Sequence, residues 1–181
     1  IELSIKKYFE LRRYKVQGWL QQQELTQEFI FQELISTASS AEYGQKYNFN
    51  TITTLEEYQE LVPIVSYEEL APYIQRMMKG ERNILWPGDI TFFSKSSGTT
   101  NDVSKYLPVS RDALQENNYK AGKDLFALTF MQYPDLRIFK NGGSVLGISG
   151  SFDEREDDIK VGDVSAIIAS ELPSLFQERR A

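Results

Sequence analysis

The chain has 181 residues, 41% of them hydrophobic and 25% charged, with a formal net charge of −6; this is the balance of a soluble globular protein, with enough chain for one ordinary domain and a sizeable core. There is no Cys and no His, which removes disulfides, thiolate zinc sites and Ser-His or Cys-His nucleophilic mechanisms within the chain. The acidic balance argues against a nucleic-acid binder that works by phosphate neutralisation, and no apolar run approaches the ~20 residues needed to cross a bilayer.

Ile1 stands where a natural start would have Met, and no secretory signal follows it, so the expected setting is cytoplasmic. The first forty residues read as helix. Ile5, Tyr8, Phe9, Val16, Trp19 and Leu20 recur at helical spacing, as do Leu25, Phe29, Ile30 and Leu34 beyond Gly18 and the Gln run. Two helices or one bent helix are expected, with the aromatic-rich stripe as a packing face. Lys6, Lys7, Arg12, Arg13 and Lys15 spread around this helix and are expected to form a solvated face. Ser36 to Ser40 and Gly44 mark a loop.

Thr54 with Glu57, and Ser66 with Glu69, are capping-box pairs. They head helices carrying Leu55, Tyr58 and Leu61, then Leu70, Tyr73, Ile74, Met77 and Met78. Pro63 limits the first and Gly80 stops the second, while Pro72 is expected in the first turn of a restarted helix.

Trp86-Pro87-Gly88 reads as a turn delivering an apolar strand (Ile90, Phe92, Phe93) into a hydroxyl-rich loop, Ser94 to Thr100. Lys105 then leads to a second strand, Tyr106 to Val109. Each Ser or Thr offers a hydroxyl beside its backbone N–H, Gly98 permits φ > 0, and Lys95 or Lys105 adds positive charge. Such a loop can cradle a polyphosphate. It is not a Walker A loop, which needs two glycines and Lys followed by Ser or Thr. By composition alone, an ordinary hydroxyl-rich hairpin loop is the favoured reading. Trp86 could stack on an adenine, but a packing anchor beside a turn is the simpler role.

Ser110, with Asp112 in the first turn, is expected to cap a helix carrying Ala113, Leu114, Ala121, Leu125 and Leu128, packed beside the sheet. From Leu136 to Gly150, short apolar pieces around Asn141-Gly142-Gly143 read as a β-hairpin. The carboxylates of Asp153 to Asp158 read as a solvated loop and not a metal site. Asp163 is placed to cap a helix over Val164 to Ser170, ended by Leu172-Pro173 before an exposed tail.

The run SSGTT at 96–100, followed by Lys105 and YLPVS, resembles the first nucleotide motif of the adenylate-forming enzymes, S-S-G-T-[ST]-x-G-x-x-K. Together with residues 61–88, NGGS at 141–144 and VGDVSAI at 161–167, it makes the chain similar to the auxin-responsive family of acyl acid amido synthetases in its bacterial form.

That resemblance implies an α/β fold, N-terminal helices followed by mixed strands and helices, as the leading part of a large domain. Residues 1–181 would be part of that domain, with the small C-terminal domain absent. It implies a ligase that uses ATP and Mg²⁺ to adenylate a small-molecule carboxylic acid and then forms an amide with an amino acid, without nucleic acid or membrane as partner. Ser96, Ser97, Gly98, Thr99 and Thr100 would hold the β- and γ-phosphates and Lys105 would add positive charge. None of them is a nucleophile or a metal ligand.

Two departures bear on this. Asp102 occupies the position of the motif's second glycine, and the chain ends at Ala181 before the later adenylate-binding motifs, so it is expected to be inactive alone. The alternative is a non-catalytic module of the same descent that binds a nucleotide or a partner. A phosphotransferase would need a carboxylate base near Thr99, for which Asp102 is the sole candidate.

Overall fold

The computed structural model describes residues 2–96, 104–133, 148–153 and 158–172, with side chains from Lys7 onward. The chain divides into two compact units. One comprises residues 24–110 and 150–167, the other 1–23, 111–149 and 168–181. Among the described residues, no helix is long and apolar enough to cross a membrane.

The first unit holds most of α2 (Gln23–Ala38), then α3 (Glu42–Lys46), a 3-10 turn at Phe49–Thr51, α4 (Leu55–Leu61) and α5 (Tyr67–Met77). A three-stranded sheet follows, ordered β2-β1-β3. Both expected capping boxes form: Thr54 and Ser66 accept the amides of Glu57 and Glu69, whose carboxylates bond back to the cap amides. Each box satisfies two orphan amides at a helix start and so fixes where α4 and α5 begin.

Three expectations for this unit need correction. The loop expected from Ser36 is helix to Ala38, because Ser39 and Ser40 donate their hydroxyls to the carbonyls of Ser36 and Thr37 and close the helix end. Gly44 lies inside α3, where a Cβ would run into the carbonyl oxygen of Ala38. Pro72 sits within a continuous α5, in the second turn after the Ser66 cap, so the helix gives up a single hydrogen bond instead of restarting.

The apolar face of α2 is also not the expected one. Leu25, Phe29, Ile30 and Leu34 are exposed, whereas Ile35 and Ala38 are buried against Phe49, Ile52 and Val62, with Phe31, Tyr43, Tyr47 and Tyr58 packed around them. A second cluster joins Ile74 and Met77 of α5 to Ile84, Ile90, Phe93, Ile159 and Val161. Trp86 packs against both clusters, which is the anchoring role.

β1 (Phe92–Lys95) pairs antiparallel with β2 (Tyr106–Val109), Phe92 opposite Val109 and Lys95 opposite Tyr106. On its other side β1 pairs parallel with β3 (Lys160–Gly162), Ser94 opposite Gly162. β3 is too short to announce itself in a sequence and exists through this pairing. The turn before β1 is set by Asn83 and Gly88, both at positive φ, with the Gly88 amide donating to Asn83 Oδ1 at 2.7 Å.

In the second unit, α1 (Glu2–Gln21) packs on α6 (Lys120–Gln132), and Phe9 stacks on Phe126 and Phe130. The basic face expected to be solvated is partly buried here: Arg12 donates to Asp124 at 2.5 Å, and its guanidinium lies over Trp19, which Lys120 also approaches.

The helix after Ser110 begins with π-helical turns, Ala113–Tyr119. Their wider repeat shifts the helical face, so Leu114 and Ala127 are buried while Ala121, Leu125 and Leu128 are exposed. The inward face of α6 meets α1.

α7 runs over Val164–Ser170 as expected. The hairpin centred on Asn141, most of the acidic run after Asp153, Pro173 and the tail lie outside the described residues.

Candidate functional site

Because β1 and β3 are parallel, their carboxyl ends emerge at the same sheet edge. That edge is where open α/β sheets collect ligands. The chain leaves β1 through Ser96 and re-enters the sheet through Lys105. The Ser96 amide donates to the Lys105 carbonyl at 2.9 Å and the Lys105 amide donates to the Ser96 hydroxyl at 3.0 Å, so the ladder extends one pair past the strands. Of the residues expected to hold phosphate, the structure brings Ser96 and Lys105 together; Ser97, Gly98, Thr99 and Thr100 lie outside the described residues.

The start of α5 supports this neck. The Ser66–Glu69 capping box sets the first helical residue, Tyr67, whose hydroxyl accepts the Tyr106 amide at 2.9 Å. The Lys105 ammonium lies 5.1 Å from the Tyr67 ring centre and 3.7 Å from the Glu68 carboxylate. Hydrogen bonds from the Ser66 amide and hydroxyl hold the Glu69 carboxyl below its usual range.

The opposite flank is built around β3. Asp153 donates its amide to Val161 at 2.7 Å and receives the Lys95 ammonium at 3.2 Å. Residue 162 must be glycine for the 151–153 segment to pass, since a Cβ there would meet the Ser151 carbonyl. Close by, the Ser165 hydroxyl accepts the Gly150 amide at 2.9 Å.

Both lysines of the neck therefore face a carboxylate. Lys105 and Glu68 are 42% and 73% exposed, and a pair that open to water contributes about 0–1 kcal/mol. A polyphosphate of several charges would displace Glu68 at little cost. The Ser96 hydroxyl accepts the Lys105 amide, and a hydroxyl that accepts can still donate its own proton. Among the described residues, no three acidic side chains gather as a cation site. Tyr67, Glu68 and Asp153 escape a sequence reading because their roles depend on contacts across 38, 37 and 58 positions of chain.

The same fold occurs in solved structures of an acyl acid amido synthetase. GH3.15 aligns with a TM-score of 0.66 over 82% of this chain and 26% of that one, at 20% identity. The AtGH3.15 acyl acid amido synthetase in complex with 2,4-DB aligns with 0.66 over 87% and 27%, at 21% identity. A family model, the GH3 family N-terminal domain, matches residues 14–178, and the chain belongs to that family of acyl acid amido synthetases.

Its relatives include the jasmonoyl-L-amino acid synthetase JAR4 of Nicotiana attenuata, 30% identical over 126 residues, which are 69% of this chain and 21% of the relative. The indole-3-acetic acid-amido synthetase GH3.10 of Arabidopsis thaliana is 44% identical over 72 residues, 39% of this chain and 12% of the relative. The matched stretches thus cover between 12% and 21% of these relatives.

Proposed function

We propose that the chain supplies the nucleotide-holding loop of an ATP-dependent acyl acid amido synthetase, as the leading part of that enzyme's large domain. The observation that supports this is the paired neck of Ser96 and Lys105, which stands at the carboxyl end of β1 beside parallel β3 and brackets residues 97–104 in the sequence.

The chemistry begins from a carboxylate, a poor electrophile with no good leaving group. A carboxylate oxygen attacks the α-phosphorus of ATP and pyrophosphate departs. The amine of an amino acid then attacks the activated acyl carbon, AMP leaves, and an amide remains. The Ser96 hydroxyl, with the backbone amides of Ser97, Gly98, Thr99 and Thr100 and the hydroxyls of Ser97, Thr99 and Thr100, would stabilise charge growing on the β- and γ-phosphate oxygens, and Lys105 would exchange Glu68 for phosphate. Mg²⁺ would be held mainly by the polyphosphate and water, screening charge near the acidic flank.

The chain's relatives are several times its length, and the adenylation and amide-forming steps are assigned to an enzyme of that length. The test is ATP–pyrophosphate exchange in a family member of full length carrying this segment. Ser97→Ala, Thr99→Ala and Lys105→Ala together should reduce exchange by about a hundredfold or more; unchanged exchange rejects the assignment.

A second reading, a module that binds nucleotide or partner without turnover, draws on the Glu68 carboxylate beside Lys105. Absence of any heat on titrating the chain with MgATP would favour a module with no nucleotide role.

A further inference from the structure

Between α2 and the start of α4 lies an open groove of about 400 Å³, lined by Gln27, Glu28, Phe31, Gln32, Leu55 and Glu56. Its floor is held in place by Gln32, whose side chain donates to the Thr53 carbonyl, and by Phe31, whose ring meets Tyr58 edge-on at 5.8 Å. At 100° per residue, Leu25 and Phe29 flank the groove on the Glu28 side of α2, and Ile30 and Leu34 on the Gln27 side. All four are exposed, Phe29 by 68%. Leu55, on α4, is 51% exposed.

The charged residues that line this groove, Glu28 and Glu56, have one sign. From residue 16 to residue 75 the chain carries nine Glu, no Asp and a single cation, Lys46. Lys46 is taken up by Tyr43, Tyr47 and Tyr73, lying 6.0, 5.0 and 5.6 Å from their ring centres and 3.1 Å from the Tyr73 hydroxyl. Among the described residues, no ion pair reaches Glu24, Glu28, Glu33, Glu56 or Glu60.

We infer that the α2–α4 groove docks a basic amphipathic polypeptide helix, its apolar face against Phe31, Leu55 and the flanking Leu25 and Phe29, and its Lys or Arg residues on Glu28 and Glu56. The apolar floor supplies burial and the acidic rim supplies selection and orientation. The same rim repels phosphate-bearing surfaces, so neither nucleic acid nor an anionic membrane is the occupant. The surface is independent of the nucleotide loop.

The probe is a fluorescein-labelled Leu/Lys amphipathic helical peptide, titrated into the 181-residue chain by anisotropy, with a Leu/Glu peptide of identical apolar pattern as control. The basic peptide should bind about tenfold or more tighter than the acidic one. Glu28→Lys with Glu56→Lys should weaken it about tenfold, whereas Asp89→Lys with Asp158→Lys, which line a separate cavity with Met78 and Ile90, should leave it unchanged. Phe29→Ser, at an exposed position, gives an independent loss if the first pair disturbs folding. Hydrogen exchange should show protection confined to residues 24–35 and 53–60.

Equal binding of both peptides, equal weakening by both charge reversals, or protection elsewhere overturns the inference. So does self-association of the chain that is abolished by the groove reversals, which would make the occupant a second copy.

Discussion

Lys105 meets Ser96 through the backbone and Glu68 through its side chain: its amide donates to the Ser96 hydroxyl at 3.0 Å, while its ammonium stands 3.7 Å from the Glu68 carboxylate. The first contact fixes where the loop ends, and the second sets what an incoming anion must displace. Glu68→Gln should therefore strengthen MgATP binding to the chain several-fold and Lys105→Ala should weaken it, as read by calorimetry. The exposed pair predicts that Glu68→Gln shifts stability by less than about 0.5 kcal/mol.

The two capping boxes give an acid-dependent component of stability. Glu57 is held below the usual Glu range by the Thr53 amide and hydroxyl and the Thr54 amide, and Glu69 by the amide and hydroxyl of Ser66. A carboxyl with a lowered folded-state value contributes stability that is present above the unfolded value, about 4.3, and is lost as pH falls through the folded value. Melting temperature should fall as pH is taken below about 4. Glu57→Gln with Glu69→Gln, which keeps the cap geometry, should flatten that drop; an unchanged profile would remove these groups from the account.

Arg12 and Asp124 form a pair whose side chains are only 12% and 21% exposed, and among the described residues the buried Arg12 Nη2 has no hydrogen-bond partner. Removing one member leaves a charge stranded between α1 and α6. Asp124→Ala should cost about 3 kcal/mol in urea unfolding, and Arg12→Met with Asp124→Leu should recover most of it.

Glycines separate sharply by surroundings. In α3, a Cβ on Gly44 would strike the Ala38 carbonyl, while in α1 a Cβ on Gly18 would meet nothing within 4 Å. Gly44→Ala should destabilise the fold by about 1–3 kcal/mol, and Gly18→Ala should stabilise it by up to about 1 kcal/mol. Equal effects in chemical denaturation would contradict this local packing.

These contrasts explain what was legible in the chain beforehand. The capping boxes are local: each is dictated by side chains within a few positions of the backbone they satisfy. β3 and the support from Tyr67 are not, because a three-residue strand and a hydroxyl on Tyr106 gain meaning only once distant segments meet. The helix after Ser110 carries a good α-helical pattern, yet π-helical turns move Leu125 and Leu128 outward. Arg12 reads as a surface cation until Asp124 and Trp19 enclose it. For the candidate site, motif resemblance points to the loop, while geometry adds the Glu68 carboxylate beside Lys105.

The most direct test of the central claim is a titration of the isotopically labelled chain with MgATP, followed through the backbone amide resonances. The account predicts shifts concentrated between Ser96 and Lys105, diminished by Thr99→Ala and Lys105→Ala. Resonances in that segment that stay fixed at millimolar MgATP, or shifts confined to other parts of the chain, would contradict it.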